Sequence, residues 1–424
     1  MSNQLQLVRA VGPLSLTAIT LNGVVGAGIF VMPATVAGLL GPASPIAYVL
    51  AGVAAILIAF SFAEAGSYYD RAGGPYIYAR EAFGEFVGFE VGWMFLLARL
   101  AGAAAVINAF AAYLAFFQPT LGQPLGRALV IGIAIAAIGA LNCAGVQYGS
   151  TIVNGLTIGK LLPLFVFVGA GLFAMDWRTL LPPAVPAFGP LREASLVLLF
   201  ALGGFEFASV PSEEVIESRR YLPFALIAGL AFGITCYILV QVVCVGTLPG
   251  LAHDSAPVAN AAARFLGHTG ASLMALGAIF STTGTNSTIL LIGPRMLYAL
   301  AQGGQLPAVF GRIHPRFRTP SVAVVLFTAG TLALALSGTF AALAALNAIA
   351  RLLYSITTCA AVPVLRRRFP PVQRMFTLPG GWLLPVLGIL ASVVLLSGIN
   401  PTQALIGGVG LLIGALIYMA RRAA

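Results

Sequence analysis

Apolar runs of about twenty residues, the length that crosses a bilayer as a helix, recur along the whole chain. Their centres fall near residues 26, 56, 103, 134, 161, 204, 236, 284, 328, 351, 390 and 412. Backbone in hydrocarbon must satisfy its hydrogen bonds within the segment. The spacing therefore leaves one fold class, an all-α membrane protein, with twelve transmembrane helices expected. The connections are too short to bury a core of their own, so residues 1–424 are expected to form a single transmembrane domain. Charged residues are 8% of the chain, against roughly 25% in a soluble domain. Met1 to Ala10 lacks the charged-then-apolar-then-small order of a cleaved signal, so a retained N-terminus is expected.

The net charge of +10 invites a nucleic-acid reading, but its placement points to a membrane. Arg9, Arg71, Arg80, Arg219, Arg220, Arg312, Arg366 and Arg421 are among many arginines on one side of the expected spans. Arg127, Arg178, Arg192 and Arg264 are the few on the other. This is the positive-inside bias, and it places both termini in the cytoplasm. Short loops and minimal tails suggest a bacterial inner membrane, with the lipid bilayer as partner and no nucleic acid. Cys143, Cys236, Cys244 and Cys359 lie in or at the ends of separate spans, and His253, His268 and His314 lie in loops. None has metal-ligand spacing, and no cofactor motif is present. HExxH and GxSxG are absent too, which argues against a membrane-embedded enzyme.

Two spans carry clustered glycines at mid-membrane depth: Thr20 to Phe30 with Gly23, Gly26 and Gly28, and Phe200 to Ala208 with Gly203 and Gly204. Each glycine costs a continuous helix about 1 kcal/mol relative to alanine. Unwound backbone is tolerated there only where it lines a cavity or is covered by protein. The clusters sit five helices apart on spans of opposite direction, the pattern of an inverted repeat with a broken first helix in each half. The halves would cover about 10–175 and 190–368, with two helices appended over about 380–424. Close helix packing is the other use of such glycines.

Lys160 is the only lysine and lies inside an apolar run. An amine buried in hydrocarbon must be paired, solvated or neutral, and unlike arginine it can give up its proton. Lys160 is thus a candidate proton carrier, or an ammonium standing where a cation would bind. Glu206, mid-span after Gly203-Gly204-Phe205, is expected either protonated at rest or paired to a hydroxyl. Arg99 in the third span is expected to snorkel or to pair structurally. Glu213 and Glu214 form a possible inner gate with Arg219 and Arg220, or are solvated interfacial charges.

Val25-Gly26-Ala27-Gly28-Ile29-Phe30 resembles the first-helix motif of the amino acid–polyamine–organocation superfamily of transporters. The resemblance continues through Gly73-Gly74-Pro75-Tyr76, Gly92-Trp93, Lys160, Phe205-Glu206 with Pro211-Ser212-Glu213-Glu214, and Pro294 to Ala299 with Leu306-Pro307. It implies a LeuT-like fold of 5+5 inverted repeats with helices 1 and 6 broken, alternating access, and an amino acid substrate. The implied substrate site comprises Gly23, Val25, Gly26, Ala27 and Gly28 with Phe200, Ala201, Gly203, Gly204 and Phe205. Backbone N–H groups near Gly26, Ala27 and Gly28 would hold a carboxylate and carbonyls around Phe200, Ala201 and Gly203 the ammonium, with Phe200 or Phe205 as an aromatic gate. In relatives a lysine at the place of Lys160 occupies the position of sodium in sodium-coupled members, beside hydroxyls here expected from Ser281, Thr282 and Thr283. Glu206 would serve gating, amine recognition or protonation.

The expected function is proton-coupled uptake of small neutral amino acids, with protons and substrate as the small partners. The alternative is an amino acid or amine exchanger in which Glu206 senses a cationic substrate.

Overall fold

The computed structural model describes residues 11–70, 73–144, 146–181, 184–210, 215–370, 375–378 and 380–423. They are almost all helical, and their one β feature is an isolated parallel bridge between Val11 and Val215. Seven stretches are long and apolar enough to cross a membrane, the first of them running from Pro13 to Gly66 through several helices. Each sequence-expected centre falls inside a helix or on a helix break.

The glycine clusters interrupt helices where expected. α1 (Pro13–Val24) stops at Val25, and α2 (Gly28–Leu40) restarts after three residues. α8 (Phe188–Ala201) stops before Leu202-Gly203-Gly204, after which Phe205–Ser209 winds as a 3-10 turn. Gly204 adopts φ 99°, a left-handed conformation that suits glycine, and this turns the chain out of α8.

Around these breaks stand α3 (Ser44–Gly66), α5 (Glu85–Phe117), α6 (Pro124–Ala144) and α7 (Val146–Ala174). With them are α9 (Ser218–Thr247), α10 (Pro257–Gln302), α11 (Ser321–Ser337) and α12 (Phe340–Arg368). A short helix α4 (Pro75–Phe83) joins α3 to α5, and α13 (Leu383–Leu396) and α14 (Pro401–Ala423) follow. Proline at the first turn opens α3, α4 and α10, where its missing N–H has no helical partner to lose. α10 is interrupted at Gly267 (φ 65°), leaving its longer part as the helix against the breaks.

α5 packs between α10 and α12, α7 lies on α10, α3 on α9, and α1 on α9 and the Phe205–Ser209 turn. The core is rich in alanine and glycine, which lets backbones approach closely where no hydrophobic effect drives association.

Candidate substrate site at the paired helix breaks

The two breaks touch. A Cβ added to Gly23 would lie 2.3 Å from the Gly204 carbonyl oxygen, so only glycine fits there. The α9 residue Tyr237 joins them as well: its hydroxyl is 3.1 Å from the Val24 carbonyl and 3.0 Å from that of Ala201. Both carbonyls lie at helix ends that lack the next turn, so a side chain supplies the hydrogen bond that the helix does not.

Beside this junction lies a cavity of about 30 Å³. Of the residues expected at a substrate site, Gly23, Gly26, Ala27, Gly28, Phe200, Ala201 and Gly203 line it. Three do not. Val25 faces away and offers its carbonyl to Lys160. Gly204 is covered by Gly23 and donates its N–H to Glu206 Oε2 at 2.9 Å. Phe205 packs edge-on against Phe62 at 5.7 Å and lines a second cavity of about 10 Å³. The aromatic ring on the main cavity from this segment is Phe207. The expected break says where the helix stops but not how the chain continues: a 3-10 turn advances three residues per turn, and this sets which ring faces the cavity.

Lys160 is fully buried on α7 and donates to the Val25 carbonyl at 2.5 Å. Ser281 Oγ stands 3.2 Å from both the Val25 and Gly26 carbonyls. Thr282 corrects the expectation: its hydroxyl bonds back to Ala278 and Ile279 of its own helix, and that of Thr283 to Ile279. The second hydroxyl at the break is Thr285, 3.1 Å from the Asn22 carbonyl and on the cavity wall. Ser281 and Thr285 are four residues apart and so share a helix face. That spacing was the available signal. Among the described residues no carboxylate pairs with Lys160, and no metal-ligand cluster is found.

Glu206 is neither protonated in isolation nor paired to a hydroxyl alone. Its Oε1 lies 3.0 Å from Arg99 Nη2 and 3.2 Å from Arg351 Nε, and it accepts from the Tyr354 hydroxyl at 2.6 Å. Two guanidiniums thus face one carboxylate. Arg99 does not snorkel. It is 1% exposed and held between the rings of Phe95 (4.9 Å) and Phe207 (4.5 Å). Arg351 also donates to the Leu199 carbonyl at 2.7 Å, capping the end of α8. Both arginines line the cavity, as does Asn347. Sequence reasoning missed Arg351, although a charge at the centre of the tenth apolar run is itself a functional signal. Glu213 and Glu214 lie outside the described residues.

A second buried ion pair lies away from the cavity. Glu64 on α3 takes both ends of the Arg366 guanidinium at 2.5 and 2.6 Å, the Tyr68 hydroxyl at 2.6 Å and the Leu378 N–H at 2.9 Å.

A family model described as "Amino acid permease" matches residues 11–418. The chain is 28% identical to the branched-chain amino acid permease BcaP of Bacillus subtilis, over 98% of this chain and 94% of that protein. It is 27% identical to the serine/threonine exchanger SteT of the same organism, over 96% and 95%. It is 30% identical to cationic amino acid transporter 4 of Mus musculus, over 89% and 63%. The substrates in these names differ in size and charge, so the similarity carries the family and leaves the substrate to the site. A match over nearly the whole length joins a cavity framed by two broken helices: the chain belongs to the amino acid permease family and is a multi-pass membrane transporter, not an enzyme.

Proposed function

We propose that this protein is a secondary active transporter that takes up amino acids of short side chain by alternating access, coupled to protons through Lys160. The observation that carries the proposal is the contact of the buried Lys160 ammonium with the Val25 carbonyl at the first helix break. A charged amine there holds the unwound segment to α7. Loss of its proton weakens that hydrogen bond and releases the segment to move. Substrate binding uses the same segment, so proton and substrate are coupled through one piece of backbone.

The site supports an amino acid ligand in two ways. The first N–H groups of α2 adjoin Ala27 and Gly28 on the cavity wall, where a helix N-terminus favours a carboxylate. The lining is glycine and alanine on the side of the breaks and Val106, Phe200, Phe207 and Ile289 around them, and a short side chain fits a space of this size best. At about 30 Å³ the cavity has room for a water or two, so the conformation is closed and a substrate enters with helix movement. The exchanger reading, with Glu206 receiving a cationic substrate, has less support, because both carboxylate oxygens are already engaged.

The architecture belonging to this reading is LeuT-like: twelve crossings, two inverted five-helix repeats over about 10–175 and 190–368, and α13 and α14 appended. We place it in a bacterial inner membrane with both termini cytoplasmic, in keeping with the arginine bias of the loops.

The test is uptake into proteoliposomes of labelled amino acids of different charge, with and without an inward proton gradient, for the full-length protein and Lys160→Ala. We expect the gradient to drive accumulation in the wild type. The variant is expected to lose that accumulation while its melting temperature still rises with substrate. Gradient-independent exchange by both proteins would overturn the coupling and favour an exchanger.

A further inference from the structure

Two guanidiniums and one carboxylate meet at the cavity, and we propose that the missing negative charge arrives with the substrate: the site selects an acidic amino acid, a zwitterion bearing a second carboxylate. The proposal rests on the reading of this cavity as the substrate site of an amino acid transporter and adds the charge of its ligand. The small residues Gly23, Ala27 and Ala201 on the cavity wall bear on the size of a ligand and not on its charge. Size and charge are separate constraints, and a short acidic side chain meets both.

The charge count is direct. Arg99 and Arg351 line the cavity, no acidic residue does, and both share Glu206 behind it. A buried charge without a partner is strongly unfavourable. A zwitterion with a neutral side chain leaves the excess positive charge in place, a cationic one adds to it, and an acidic one removes it. The Lys160 ammonium lies on the other face of the first break and, when protonated, adds to the same imbalance.

The two arginines are built differently. Arg99 is clamped between two aromatic rings, and its Nε has no hydrogen-bond partner. Arg351 lies across Gly203, where an added Cβ would fall 0.7 Å from Nη1, and it borders both the larger cavity and the smaller one behind it. It is thus the guanidinium that borders both spaces, and a carboxylate is the group a guanidinium holds best. Asn347 Oδ1, on the same wall, also lacks a donor and can receive the substrate ammonium. The arrangement assigns Arg351 to reading the side-chain carboxylate, and Arg99 to holding Glu206 in place as it does so.

The experiment is competition against labelled L-aspartate in proteoliposomes holding the full-length protein, with unlabelled aspartate, glutamate, alanine, arginine and succinate. Aspartate or glutamate is expected to compete about tenfold or more better than alanine, with arginine weakest. Arg351→Gln leaves Arg99 and Glu206 as a balanced pair, and it should narrow the aspartate-to-alanine preference by about tenfold. Arg351→Lys, which keeps the charge and loses the fork, should fall between. If the wild type prefers alanine or arginine, or if Arg351→Gln weakens all amino acids equally, the charge assignment is wrong and the transport reading stands. Succinate competing as well as aspartate would show an anion site without need of an ammonium, against the amino acid reading. If nothing in the panel is bound or carried, both readings fall. The wild-type panel decides by itself should Arg351→Gln fail to assemble.

Discussion

Gly203 has a role that its lack of a side chain makes easy to overlook. The Arg351 guanidinium occupies the space where any Cβ would stand, and this lets Arg351 reach both Glu206 and the Leu199 carbonyl. Gly203→Ala must expel that guanidinium and leave a buried carboxylate with one partner fewer. We expect a loss of about 3 kcal/mol or more and no thermal shift with substrate, read by melting the purified protein with and without aspartate. Gly132 on α6 is the control, since a Cβ there meets nothing within 4 Å. Gly132→Ala should be neutral or stabilising by up to about 1 kcal/mol, the helix preference of alanine over glycine. A Gly203→Ala variant as stable as Gly132→Ala would mean that Gly203 is tolerant and Arg351 free to shift.

At the scale of the element, Glu64 joins α3 to α12 through Arg366 and to the Leu378 backbone beyond. Glu64 is fully buried and Arg366 partly so, and Glu64→Gln, which removes the carboxylate facing Arg366, should cost about 3 kcal/mol, whereas Glu64→Gln with Arg366→Met removes both charges and recovers part of it. A double-mutant cycle on thermal unfolding should show coupling beyond about 1 kcal/mol; additive losses would mean that the two helices are held by other contacts. The elements were largely legible in the sequence, because runs of apolar residues fix helices and clustered glycines mark where they break. Gly23, Gly26 and Gly28 are read directly from the first cluster. What was not legible is which side chain faces which. Phe207 replaces Phe205 on the main cavity because a 3-10 turn follows Gly204. Glu206 finds Arg99 and Arg351 across 107 and 145 positions of chain, a pairing that only the packed helices can bring about. The pairing of Ser281 with Thr285 was open to inspection, since four residues apart they share a helix face, whereas the turn of Thr282 back onto its own helix was not.

Across the whole molecule the packing is reciprocal. α7, fifth helix of the proposed first half, lies on α10, third of the second. α12, fifth of the second half, lies on α5, third of the first. Second helices meet as α3 and α9, and fourth as α6 and α11. Such exchange of partners is in keeping with the proposed repeat, and the two breaks meet at Gly23 and Gly204. α14 stands apart from this pattern. Its most apolar window is 11% buried, against 67% for α10 and α12, and it touches the rest mainly along α5 and α12. A helix so placed adds little to the cavity, which it does not line. Its firmest anchor is the Trp93 indole N–H, which donates to the Gly410 carbonyl at 2.9 Å. Ending the chain after Asn400 should therefore lower thermal stability modestly and leave the substrate preference in the competition assay unchanged. Trp93→Phe should reproduce part of the stability loss, about 1 kcal/mol for one hydrogen bond. Should the shortened protein keep its fold but change its order of preference among aspartate, alanine and arginine, α14 would have to act on the site through α5, by moving Arg99.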